Sequence, residues 1–126
     1  MNIPFNKFTL LALAWFAGGT YALLFREADG GVPPFPHFDK VAHFALFFGQ
    51  IWLIAKAYLA EKRAIPYRSL LVLALLVAAG SEVAQAVLTR TREGSWLDGA
   101  ADLLGACAAL WLAHQVAQAR RRSDGL

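Results

Sequence analysis

The chain has 126 residues, of which 58% are hydrophobic and only 17% are charged, and its mean hydropathy is +0.45. A water-soluble domain of this length needs more polar residues to cover its surface, so the composition argues against one. The net charge is +3, but the basic residues lie between apolar runs and at the chain ends, which argues against a nucleic-acid-binding face. The composition therefore predicts a single integral membrane domain.

Four apolar segments follow one another along the chain, at residues 8–25, 41–60, 69–88 and 97–118. Each is close to the ~20 residues that a helix needs to cross the hydrocarbon core of a bilayer. Backbone polar groups must be hydrogen-bonded internally in lipid, and these segments do not alternate in polarity as barrel strands do. The predicted fold class is therefore an all-α bundle of four transmembrane helices. The first segment could instead be a signal peptide, but it is long for one and lacks a clear cleavage site.

Three connections separate the segments: a Gly/Pro-rich loop over residues 26–40, a basic turn over 61–68 and a loop over 89–96. Small residues four positions apart recur in three of the helices, and such spacing lets membrane helices approach closely. These predicted contact stripes are Ala14, Gly18 and Ala22; Gly80 and Ala84; and Ala101, Gly105 and Ala109.

The Lys and Arg residues predict the orientation of the bundle. Four spans place both termini and the second connection on one side of the membrane. That side carries Lys7, Lys56, Lys62, Arg63, Arg68, Arg120, Arg121 and Arg122. The other side carries Arg26, Lys40, Arg90 and Arg92. Because cytoplasmic loops are enriched in basic residues, we predict that both termini are cytoplasmic.

Polar residues of the last three helices gather at the opposite, outward-facing level of the predicted bundle. Several are spaced three or four apart, which places them on one helix face. We define the predicted polar cluster as Asp39, Lys40, His43, Glu82, Gln85, Arg92, Asp98 and Asp102. The groups of His43, Glu82 and Asp98 are expected to lie within ~10 Å of one another, about one helix diameter.

Two interpretations of the polar cluster remain open. It either binds a ligand such as a lipid head group, or it is an ion-pair lock that holds three helices together. Glu82 needs one of these explanations, because a charge within a span is costly unless it faces the bundle interior. The sequence predicts no metal or cofactor, since ligand spacings such as HxxH are missing. Ser81 lacks the signature of a catalytic nucleophile.

The same residues resemble the VanZ family of small membrane proteins. The resemblance covers roughly Phe38–Ala113, most of the chain. It rests on Asp39-Lys40-Val41-Ala42-His43-Phe44, Glu82-x-x-Gln85, Arg92, Asp98 and Gly105, in that order and spacing. One departure is Asp102, where the family often has Asn.

The family takes its name from glycopeptide-antibiotic resistance, and its biochemical mechanism is not established. The resemblance implies a bacterial inner membrane and a role in the cell envelope, but no particular activity. Our leading hypothesis is that the polar cluster binds an envelope component, either a lipid head group or a cell-wall precursor. The alternatives are an intramembrane hydrolase or transferase acting at the outer leaflet, and a purely structural membrane scaffold.

Overall fold

A computed structural model of the protein describes residues 2–28, 38–88 and 96–124. These residues form the helices α1 (Lys7–Ala28), α2 (Phe38–Ala60), α3 (Tyr67–Leu88) and α4 (Trp96–Asp124). No strand occurs within these ranges. The all-α prediction is therefore confirmed, and each predicted apolar segment lies within one helix.

Three of the helices contain stretches that are long and apolar enough to cross a membrane. These stretches are Lys40–Ala60, Tyr67–Ala84 and Gly99–Ser123, with 21, 18 and 25 residues. Their length and composition are consistent with a membrane protein. That α1 also crosses the membrane stays a prediction, which rests on the charge-free sequence of residues 8–25.

The helices extend beyond the predicted segments, and the predicted connections are correspondingly too long. Helix α1 continues to Ala28 and α2 begins at Phe38, so the ends of the predicted 26–40 loop are helical. Helix α4 continues past residue 118 through the three arginines to Asp124. Hydropathy identifies the apolar part of a helix, but the helix itself can continue into polar sequence. Arginine is a good helix former and suits a helix C-terminus, where it meets the negative end of the dipole.

Helix α2 packs along α1 on one side and along α4 on the other, and α3 packs mainly against α4. The side-chain amide of Asn6, at the start of α1, donates a hydrogen bond to the carbonyl of Ala57 near the end of α2, at 3.0 Å. Arg120, near the end of α4, donates to the carbonyl of Leu59 at 3.2 Å. The described chain ends and the α2–α3 turn therefore meet at one end of the bundle, here called the basic end.

The turn after α2 is closed by backbone hydrogen bonds. Lys62 adopts a left-handed conformation with φ 56°. The Arg63 amide donates to the Tyr58 carbonyl at 3.0 Å, and the Lys62 amide donates to the Leu59 carbonyl at 3.1 Å. This pair of bonds is a Schellman motif, which satisfies the last carbonyls of the helix and reverses the chain at the basic end.

The core of the protein is a seam between α2 and α4. Most buried residues of each helix lie on one face, at spacings of about one or two turns, so that each helix presents one stripe to the other. The α2 stripe is His43, Ile51, Ile54, Ala55 and Tyr58, and the α4 stripe is Asp102, Gly105, Ala106, Ala109 and Ala113. A Cβ atom added at Gly105 would overlap the backbone carbonyl oxygen of Phe44 and lie 3.1 Å from the amide nitrogen of Phe48. The two backbones therefore cross in direct contact at Gly105, as its predicted contact stripe required.

The predicted contact stripe on α1 is wrong, because Ala14, Gly18 and Ala22 are exposed. Helix α1 instead meets α2 through a neighbouring face. Ala12 is buried, and an added Cβ at Gly19 would lie 2.8 Å from the Leu46 side chain. Helix α1 is rich in small residues on both faces, so spacing alone did not identify the contacting one. Gly80 of the α3 stripe likewise has no described atom within 4 Å of an added Cβ.

Candidate functional site

The most buried polar feature of the described residues is a contact between His43 and Asp102. The His43 Nδ1 atom lies 2.8 Å from Asp102 Oδ1, and the two side chains are 1% and 0% exposed. Few ionisable side chains are this deeply buried unless they are paired. A carboxylate that accepts from Nδ1–H fixes the orientation and the tautomer of the imidazole.

The α2–α4 seam explains how these two side chains meet. His43 and Asp102 are the first residues of the two buried stripes in chain order, next to the close backbone contact at Gly105. Because no side chain separates the helices at Gly105, polar groups one turn away are brought within hydrogen-bonding distance. His43, Asp102 and Glu82 also lie five or six residues from the ends of α2, α4 and α3 that are remote from the basic end. These three residues of the predicted cluster therefore share one level of the bundle.

Glu82 faces a different environment from that of the pair. It lines an open-sided cavity of about 310 Å³ between α3 and α4. The other lining residues are apolar: Leu75, Ala78, Ala79, Gly99, Ala100 and Leu103. The α4 wall of the cavity belongs to the same turn that carries Asp102. The carboxylate is thus the one ionisable group among the lining residues described for this space.

The remaining members of the predicted cluster are placed only in part. Lys40 lies in the first turn of α2 and is half-buried. The backbones of Asp39, Gln85 and Asp98 are helical, but their side chains lie outside the described part of the structure. Arg92 lies wholly outside the described residues. The expected convergence of Asp98 with His43 and Glu82 therefore stays a prediction.

The arrangement divides the predicted cluster into two kinds of group. The His43–Asp102 pair is enclosed in the seam, which suits a structural or positioning role. Glu82 borders open space, which suits a binding role. The Ser81 hydroxyl, next to Glu82, donates to the carbonyl of Ala78 in its own helix at 2.9 Å. That bond occupies the hydroxyl proton, which gives Ser81 no sign of activation as a nucleophile.

The described side-chain contact of His43 joins it to Asp102, another member of the predicted polar cluster. The burial pattern of α4 could have indicated this pairing, because Asp102 precedes Ala106, Ala109 and Ala113 at helical spacing. Among the described residues, no group of three or more His, Cys, Asp or Glu side chains could hold a metal ion.

The fold and the buried polar groups together indicate a general class of protein. Apolar helices of membrane-spanning length around a buried polar pair are consistent with a helical membrane protein. Comparisons with protein-family models, curated proteins and solved structures find no match to this chain.

Proposed function

We propose that this chain is a VanZ-like multi-pass protein of the bacterial inner membrane, and that its Glu82 cavity binds the polar head of an envelope lipid or lipid-linked precursor. The observation that carries the proposal is the placement of Glu82 in a cavity that is otherwise apolar. A carboxylate within a span is costly unless it has a polar partner or a functional role. Binding the polar group of a ligand would give this carboxylate such a role.

The shape of the cavity supports an amphiphilic ligand. Small residues at Ala78, Ala79, Gly99 and Ala100 leave room between α3 and α4, and Leu75 and Leu103 offer apolar contacts. An apolar tail can pack on these side chains while a hydroxyl or amino group donates to the carboxylate. Ligand sites of this kind combine an apolar lining with a few orienting polar groups.

An intramembrane hydrolase or transferase is the second candidate function. The contact between Asp102 and His43 Nδ1 is the specific observation in its favour, because a carboxylate in that position orients a histidine as a general base. Such a reaction requires a substrate to reach a side chain that is only 1% exposed. The closed seam therefore favours binding over catalysis.

Glu82→Gln tests the binding function. Glutamine keeps the shape and hydrogen-bonding capacity of the side chain, so we expect the free energy of unfolding to change by less than about 1 kcal/mol. The lipid retained after purification in mild detergent should be lost, as measured by native mass spectrometry. Wild type and variant would be melted in the same detergent.

Glu61→Gln is the matched control, because it removes an exposed carboxylate at the basic end, remote from the cavity. This control should retain the lipid of the wild type. A large destabilisation by Glu82→Gln with unchanged bound lipid would show that Glu82 is part of a structural lock. The scaffold hypothesis would then replace the proposal.

The proposed orientation places the basic end in the cytoplasm. Eight of the 12 Lys and Arg residues belong to this end, which follows the positive-inside rule. Reporter fusions after Leu126 and within residues 61–68 should therefore read cytoplasmic, and fusions near Gly31 and Gly94 should read periplasmic. Neutralising Arg120, Arg121 and Arg122 together should give mixed topology. The reverse fusion pattern would contradict the outward-facing site.

A further inference from the structure

A second candidate site lies nearer the basic end of the molecule, on the exposed side of α1 and α2. A groove of about 510 Å³ runs between these helices and is lined by Leu11, Ala14, Trp15, Gly49, Trp52 and Leu53. Every lining residue is apolar or aromatic. The groove is therefore suited to hydrocarbon.

Trp15 and Gly49 shape the wall of this groove. The Trp15 indole N–H donates to the Leu46 carbonyl at 2.8 Å, which fixes the ring against α2. A Cβ atom added at Gly49 would lie 2.6 Å from the Trp15 ring, so only glycine leaves the ring in this position. The wall is thus set by a hydrogen bond and a close contact, and does not depend on a mobile side chain.

Two ammonium groups lie at the end of the groove that is nearer the basic end. The Nζ atoms of Lys7 and Lys56 lie 5.2 and 5.3 Å from the centre of the Phe8 ring. Lys56 Nζ also lies 5.6 Å from the ring centre of Trp52, which itself lines the groove. Cation–π contacts hold each ammonium group but leave its positive charge uncompensated.

Neither lysine has an ion-pair partner in the described part of the chain. The carboxylate of Glu61, at the same end, accepts from the side-chain amide of Asn6 at 2.8 Å. Like charges that share one aromatic ring repel each other, and an external anion would relieve this repulsion. A ligand that complements this surface therefore has an apolar part, which fits the groove, and a negatively charged group, which lies at the end of the groove beside the two lysines.

We propose that the α1–α2 groove binds an anionic phospholipid, with an acyl chain along the groove and the negatively charged head group near Lys7 and Lys56. The geometry matches the order of groups in such a lipid. Lys56 is seven residues from Gly49, so the groove extends ~10 Å along α2 from the ammonium group toward the bilayer centre. This site is separate from the Glu82 cavity, and either proposal can fail without the other.

Lipid titrations followed by native mass spectrometry test the site. The probes are phosphatidylglycerol and phosphatidylcholine with identical acyl chains, added to the delipidated full-length protein in detergent. The wild type should bind phosphatidylglycerol more tightly. Lys7→Gln combined with Lys56→Gln should weaken phosphatidylglycerol binding on the order of tenfold. Phosphatidylcholine binding should fall by less than about threefold, because the choline nitrogen already neutralises the phosphate charge of that lipid.

Arg121→Gln combined with Arg122→Gln is the matched control, since it removes two exposed charges from the same end of the protein. The control should weaken phosphatidylglycerol binding less than about twofold, because the general field of the basic end is screened. An equal loss in both double variants would show a diffuse electrostatic effect and overturn the proposal. So would unchanged binding by the lysine double variant.

Ala14→Phe tests the groove itself. Ala14 is exposed, so the larger side chain fills the groove without entering the α2–α4 seam. Binding of both phospholipids should fall at least fivefold, and excess inorganic phosphate should not displace phosphatidylglycerol from the wild type. Wild-type affinity in Ala14→Phe, or displacement by inorganic phosphate, would mean that only an anion is recognised and would overturn the acyl-chain assignment.

Discussion

Gly105→Ala is expected to lower the free energy of unfolding by about 3 kcal/mol, near the upper end of what overpacking costs. The added methyl group would overlap the carbonyl oxygen of Phe44, and a backbone atom cannot turn aside as a side chain can. Helices α2 and α4 would have to separate along their buried seam. Reversible unfolding in mixed detergent micelles would measure the loss.

Gly80→Ala is the control for this substitution. Gly80 also lies within a helix, but nothing described lies within 4 Å of an added Cβ. Alanine should therefore be neutral there or stabilise α3 by up to about 1 kcal/mol, since it has the higher helix propensity. Equal stability of the two variants would refute the close crossing at Gly105.

Asp102→Ala is expected to lower the free energy of unfolding by a similar amount, about 3 kcal/mol. Removing one partner of a buried hydrogen bond costs about 1–3 kcal/mol, and more when one of the groups is charged, because the remaining polar group stays buried after losing that bond. Alanine is a good helix former and resembles its neighbours along the α4 seam, so the loss should reflect the polar contact with His43 and not the packing of the helices.

Asp102→Asn is the informative control. The amide oxygen of asparagine can accept the hydrogen bond from His43 Nδ1–H, so this variant should stay within about 1 kcal/mol of the wild type. If Asp102→Ala unfolds with wild-type stability, the pair has no role in holding α2 and α4 together.

The two substitutions concern the scaffold, and the Glu82 cavity depends on that scaffold. Helix α4 contributes the buried stripe toward α2 and also the residues Gly99, Ala100 and Leu103 that face Glu82. A shift of α4 at Gly105 would therefore change the width of the cavity. Lipid retention by Gly105→Ala should be interpreted only together with its stability, whereas Glu82→Gln leaves the seam intact.

The sequence by itself determined where the helices lie and that successive helices run in opposite directions. Apolar stretches near 20 residues mark helices in a membrane protein because the backbone has no other way to satisfy its polar groups in lipid. The resulting alternation placed His43, Glu82 and Asp102 at one level, and the described helices have them there. The helix ends were less predictable, since charged helix formers such as Arg120 continue α4 outside the apolar stretch.

Only the tertiary structure decided which faces meet. Ala14, Gly18 and Ala22 on α1 have the same four-residue spacing of small side chains as Gly105 and Ala109 on α4. The α1 residues are nevertheless exposed, whereas the α4 residues are buried. Hydropathy does not distinguish a helix face toward lipid from one toward another helix, because both are apolar. For the same reason, the sequence could not separate Asp102, enclosed with His43 in the α2–α4 seam, from Glu82, which borders a cavity between α3 and α4.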